Sequence, residues 1–129
     1  GGVGVSVLNG GIDRAKNGKE VYVIGVDSDQ YNQGIYADGK SVTLTSAMKK
    51  VGVAAYNYVD AALNGSFPGG QTITLTLKDG AVDLPETNPN LSEDTTAKVA
   101  EAKKAVLDGN VVVPATEDAL KAFEAGTFK

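Results

Sequence analysis

Asp27 and Asp29 are the acidic residues whose setting suggests chemistry. They close the stretch Val21-Tyr22-Val23-Ile24-Gly25-Val26-Asp27-Ser28-Asp29-Gln30, in which five of the first six residues are β-branched or aromatic. An apolar run that stops abruptly in polar residues reads as a fully buried strand of a parallel sheet. In open α/β sheets ligands bind just outside the carboxyl ends of strands, so a carboxylate there is placed to hold a polar ligand. The plain alternative is an Asp that only shapes the turn after the strand. Two carboxylates can also serve an enzyme of sugar or nucleoside chemistry, which needs separations of roughly 5–10 Å between the carboxyl groups. A Mg²⁺ site built from the same two residues is the metal version of that alternative.

The rest of the composition narrows the choice. The chain has 129 residues, a net charge of −4, no Cys and no His. Its length permits one ordinary domain with a core. Nucleic-acid binding demands clustered positive charge, and this chain lacks it. Without His or Cys there is no serine triad, no cysteine nucleophile, no His- or thiolate-ligated zinc and no disulfide. No apolar run approaches the ~20 residues of a membrane-spanning helix. A third reading, an α/β interaction module with no small ligand, rests only on the shortness of the chain.

The elements that must position Asp27 follow from local patterns. Residues 30–40 read as an irregular loop with a turn at Asp38-Gly39. It carries Tyr31 and Tyr36, which either stack on a ligand base or pack down on the domain. Residues 42–44 predict a short strand feeding a helix capped by Thr45 or Ser46, with Met48, Val51, Ala55 and Ala62 at helical spacing. Asn64-Gly65 ends the pattern. Lys49 then falls in the first turn, a poor place for a cation at the positive end of a helix dipole. That placement hints at function, against the simpler reading of a solvated surface lysine. Residues 72–77 alternate strictly and predict a strand near a sheet edge, with Lys78-Asp79-Gly80 as the following turn. Ser92 caps a helix ending near Asp108, stopped by Gly109. Residues 111–113 predict a brief strand, and residues 117–125 a short helix. Helices and strands in this order imply an α/β protein with a mainly parallel sheet flanked by helices.

GVDSDQ, with Thr45-Ser46-Ala47-Met48-Lys49 and Leu77-Lys78-Asp79-Gly80 following at compatible spacing, resembles the basic membrane protein family. Its members are lipoproteins that bind nucleosides for ABC transporters. The similarity covers Gly1 to about Pro114 and matches only the C-terminal part of family sequences, which implies a fragment. For residues 1–16, the resemblance implies a glycine-rich turn leading into a helix that closes at Ala15-Lys16. Gly10-Gly11 inside that helix predicts a break or a displaced start, since each Gly costs about 1 kcal/mol relative to Ala. The resemblance implies the C-terminal portion of a type I periplasmic-binding-protein fold: two lobes, hinged, with ligand in the cleft. Residues 1–41 and about 81–114 would be second-lobe segments, and 42–80 would belong to the first lobe. Asp27, Lys49 and the backbone of Gly1 and Gly2 would be ribose-side contacts. The implied partners are a nucleoside, with a purine favoured, and the permease of an ABC importer. No catalysis, cofactor or metal is implied. Family precursors are extracytoplasmic and anchored through a lipid-modified Cys, a region this chain does not include. A piece of such a fold would also be prone to self-association.

Overall fold

In the computed structural model the described residues are 3–123. The chain divides into two compact units, residues 1–91 and 92–129.

The first unit is built on a three-stranded sheet of order β1-β4-β5. Strand β1 (Val23–Asp27) runs parallel to β4 (Thr43–Lys49), while β5 (Val82–Asp83) lies antiparallel on the other side of β4. Between β1 and β4 the chain makes a 3₁₀ turn (Asn32–Gly34) and a small antiparallel hairpin, β2 (Ile35–Ala37) with β3 (Lys40–Ser41). Asp38 and Gly39 turn that hairpin with φ of 39° and 77°. Successive positive φ values suit the twist of a tight hairpin, and Asp and Gly tolerate them. The α/β class and the parallel pairing at the centre agree with expectation.

Helix α1 (Gly4–Lys16) is continuous through Gly10-Gly11. The expected break is absent because Gly11 is where the helix meets the sheet. A Cβ on Gly11 would lie 2.9 Å from a Val23 methyl and 3.3 Å from a Val42 methyl. The bare Cα lets the helix approach that closely, and Leu8 and Val42 are buried beside it. Packing here outweighs the helix-propensity cost.

Four expectations are corrected. Residues 43–49 form one strand, and the helix α2 begins only at Val51 and ends at Leu63. Pairing with β1 from Val23↔Thr43 to Asp27↔Met48 carries β4 past the apparent cap, so ladder bonds override the helical spacing. Ser46 is wholly buried and bonded to Gln30 rather than capping a helix. Residues 72–77 lie in no strand, because alternation supplies a face but not a ladder partner. Residues 111–113 form no strand either: Val111 is buried and Val112 and Val113 are exposed. Nor is β1 fully buried. Ile24 is 64% exposed and Val26 is exposed as well, and among the described residues β1 pairs only with β4.

In the second unit Ser92 caps α3 (Glu93–Leu107), its hydroxyl accepting from the Thr95 N–H at 3.2 Å. Thr116 caps α4 (Glu117–Ala122) in the same way at 3.1 Å. The acidic first turns of both helices complement the dipole. No helix among the described residues is long and apolar enough to cross a membrane.

Candidate functional site

Parallel pairing brings the carboxyl ends of β1 and β4 to one edge of the sheet. Asp27 ends β1 opposite Met48, and Lys49 ends β4 one residue further on. The Lys49 ammonium lies 2.9 Å from the Asp27 carboxylate. Of the four expected ligand residues, the structure therefore joins two. Gly1 and Gly2 lie outside the described residues. Lys49 arrives there from a strand end and not from a helical first turn, which corrects the reason for noticing it but not its position near Asp27.

The pair is open to solvent, with the two side chains 68% and 64% exposed. An exposed ion pair contributes roughly 0–1 kcal/mol. Against this stands the backbone of Asp27, which has φ of 70°. The Ser28 N–H donates to the Val26 carbonyl at 2.9 Å, so Asp27 is the central residue of a γ-turn of left-handed sense. Such a conformation in a residue with a Cβ costs on the order of 1–3 kcal/mol. The strain is larger than the stability returned by the ion pair. The ion pair therefore does not offset the cost of the turn, and the carboxylate stands open to solvent.

Asp29 has a different task. Its carboxylate accepts from the Tyr31 N–H at 3.0 Å, an Asx turn that opens the 3₁₀ segment. The two carboxylates thus have different partners, Lys49 for Asp27 and the Tyr31 N–H for Asp29. No group of three or more acidic residues able to hold a metal occurs among the described residues. Tyr31 packs down, its hydroxyl donating to the Gly39 carbonyl at 3.1 Å. Tyr36 lines a polar pocket of about 140 Å³ with Lys19, Tyr22, Lys40 and Asn90. That is well below the ~300–1,000 Å³ of enclosed small-molecule sites.

Neighbouring Lys50 faces another carboxylate, Asp83 on β5, at 3.5 Å, and this pair is partly buried. The Lys50 N–H donates to the Ala81 carbonyl at 2.7 Å. Lys49 and Lys50 are adjacent in sequence but serve opposite sides of β4. At the turn 76–80, the Asp79 carboxylate accepts from the Thr76 hydroxyl at 2.8 Å and from its N–H at 2.7 Å. Those two bonds, the hydroxyl's foremost, hold the Asp79 carboxyl below its ordinary 3.8. The expected Lys78–Asp79 turn is there, with the Asp79 carboxylate held by Thr76.

The sequence offers no role for the Gln30 side chain, and for Ser46 only that of a helix cap. Both are buried, and together they tie the segment after β1 to β4. Gly25 was the available signal: a glycine inside an apolar strand marks a close approach. A Cβ there would lie 2.6 Å from the Ser46 hydroxyl and 2.9 Å from the Gln30 carboxamide oxygen.

A polar pair presented at the carboxyl ends of adjacent parallel strands is the site geometry of ligand-binding α/β proteins. Comparison with known proteins makes the class specific. Residues 6–117 match the Bmp family model, described as ABC transporter substrate-binding protein PnrA-like, and the chain belongs to that family. It is 43% identical over 116 residues to a CD4+ T-cell-stimulating antigen of Listeria monocytogenes, covering 82% of this chain and 32% of that protein. It is 39% identical over 121 residues to an ABC transporter nucleoside-binding protein BmpA of Lactococcus lactis, covering 88% of this chain and 34% of the relative. Basic membrane protein B of Borreliella burgdorferi is 32% identical over 117 residues, which is 88% of this chain and 31% of that protein. The chain thus spans about a third of the length of these relatives.

Proposed function

We propose that the protein containing this chain captures a nucleoside outside the cytoplasm for an ABC importer, without catalysis, and that Asp27 and Lys49 hold the ribose. Supporting this most directly is the exposed Asp27–Lys49 pair, 2.9 Å apart on a strained strand end. A ribose presents vicinal hydroxyls. The Asp27 carboxylate accepts hydrogen bonds from them, and the Lys49 ammonium donates one back. Charge-assisted bonds of this kind contribute about 1.5–3 kcal/mol each once desolvated. The pair is open here, so its contribution depends on a second wall that excludes water. In a two-lobed protein that wall is the other lobe. The assignment of residues 1–41 and about 81–114 to one lobe and 42–80 to the other belongs to the same proposal. The nucleoside named for the Lactococcus lactis relative supports the ligand class. A lipid anchor upstream and a permease partner are part of this reading.

The test uses the complete protein with adenosine, guanosine, inosine, cytidine and uridine, each beside its 2′-deoxy form, in calorimetric titrations. A site built to hydrogen-bond a hydroxyl leaves its own groups unpaired when that hydroxyl is missing. At least one ribonucleoside should bind, and its deoxy form should bind about tenfold or more weakly. Equal affinity for ribo and deoxy forms would overturn the roles given to Asp27 and Lys49.

A further inference from the structure

We propose that Gln30 is the positioning residue of this site, holding the γ-turn that presents Asp27; the proposal rests on the ribose reading of Asp27. Gln30 is buried, and its bonds run in four directions. Its carboxamide oxygen accepts from the Val26 N–H at 2.9 Å, which closes a ring around Asp27. Its carboxamide nitrogen donates to the Gln33 side chain at 2.9 Å. Its own N–H donates to the Ser46 hydroxyl at 3.0 Å, and its carbonyl accepts from the Thr43 hydroxyl at 3.0 Å. Gln30 therefore fixes the segment after β1 at one end to β1 itself and at the other to β4, the strand that carries Lys49.

This arrangement accounts for Gly25, Asp27, Asp29 and Gln30 of the GVDSDQ motif. Gly25 leaves the space that the Gln30 side chain fills, as the would-be Cβ distances show. Asp27 is presented, and Asp29 turns the chain so that Gln30 comes back over the strand. A left-handed backbone persists in a non-glycine residue only where its surroundings over-determine it. Among the described hydrogen bonds to the backbone of the turn, the Gln30 oxygen on the Val26 N–H is the one that a side chain supplies. A side chain of the same length without that acceptor should let Asp27 relax and move its carboxylate away from Lys49.

The experiment compares Gln30→Met, which keeps the volume and removes the acceptor, with Gln30→Glu, which keeps an acceptor oxygen, in the complete protein. Asp27→Ala is measured in parallel. One readout is the ratio of affinities for guanosine and 2′-deoxyguanosine, or for the ribonucleoside pair that the wild type discriminates best. The other is made without ligand: hydrogen exchange at the Val26 N–H and the one-bond Cα–Hα coupling of Asp27, which reports positive φ. Gln30→Met should speed Val26 exchange, abolish the positive-φ coupling and shrink the ribose discrimination by about tenfold. Gln30→Glu should restore most of the discrimination. Retention of the positive-φ coupling in Gln30→Met overturns the proposal whatever the ligand does. Collapse of discrimination in Asp27→Ala but not in Gln30→Met removes the positioning role and leaves the ribose reading standing. Discrimination unchanged in both removes the ribose reading, and the positioning role with it.

Discussion

Asp27 and Asp29 stand two residues apart, and their surroundings give them separate tasks. Asp27 is exposed beside Lys49, whereas Asp29 is engaged by the Tyr31 N–H. In the complete protein, Asp27→Ala should therefore weaken nucleoside binding by about a hundredfold or more, the scale of two lost charge-assisted bonds. Asp29→Ala should cost far less binding, acting only through the turn. Calorimetric titration of both variants checks this, and equal losses would contradict the division. A second residue-scale expectation concerns acid. Asp79 is held below 3.8 by the Thr76 hydroxyl and then the Thr76 N–H, so its folded pKa lies under the unfolded one. A depressed carboxylate contributes stability above its unfolded pKa and loses that contribution as pH falls through the folded value. The Asp79 carboxyl resonance should accordingly titrate below 3.8, and Thr76→Val should move it back up.

At the scale of elements, adjacent glycines in α1 make opposite forecasts. A Cβ on Gly10 meets nothing within 4 Å, while one on Gly11 meets Val23 at 2.9 Å. Gly10→Ala should stabilise by about 0.5–1 kcal/mol through helix propensity. Gly11→Ala should destabilise by about 1–3 kcal/mol through overpacking. Denaturant unfolding of the two variants should separate them in sign. The same contrast shows what was legible in the sequence. Caps and stops were, because they are local: Ser92 bonds a residue three positions away, and Gly65 and Gly109 take the positive φ that ends their helices. The acidic end of β1 was legible for the same reason. Residues 43–49 were not, because their strand state is decided by β1, twenty residues earlier, and β5. Their side chains satisfy a helical spacing as well as a ladder. Gln30 was hidden for a related cause. Its importance lies in bonds to Val26, Thr43 and Ser46, which no periodicity reveals.

At the scale of the whole molecule, much apolar surface has no cover within the described residues. Val51, Tyr56, Val59 and Leu63 of α2 are all exposed, Leu63 by 82%. Ile24 and Val26 of β1 are exposed, as are Val3, Val5 and Val7 at the start of α1. A contiguous patch of more than a few hundred Å² is rare on a monomeric protein and marks a surface that meets something. Strand β1 adds an edge with one neighbour only, and such an edge is a template for pairing with another chain. The 129-residue chain by itself should therefore associate with copies of itself in a concentration-dependent way. Residues 42–44 and 72–77 lie next to the lobe crossings that the family resemblance implies, which makes them the segments expected from the sequence to mediate this. Val42 and Thr43 are buried, and β4 is the central strand, so the β1 edge and the outer face of α2 take that role. The isolated chain should also bind nucleoside poorly, because the Asp27–Lys49 pair stays in water that competes for every bond it can offer. Light scattering over a range of concentrations, with and without an Ile24→Lys change in β1, tests the first expectation; the lysine should shift the chain toward monomer. A nucleoside titration of the same samples tests the second. A compact monomer that binds at micromolar concentration would show that these surfaces need no partner and that the site is complete within this chain.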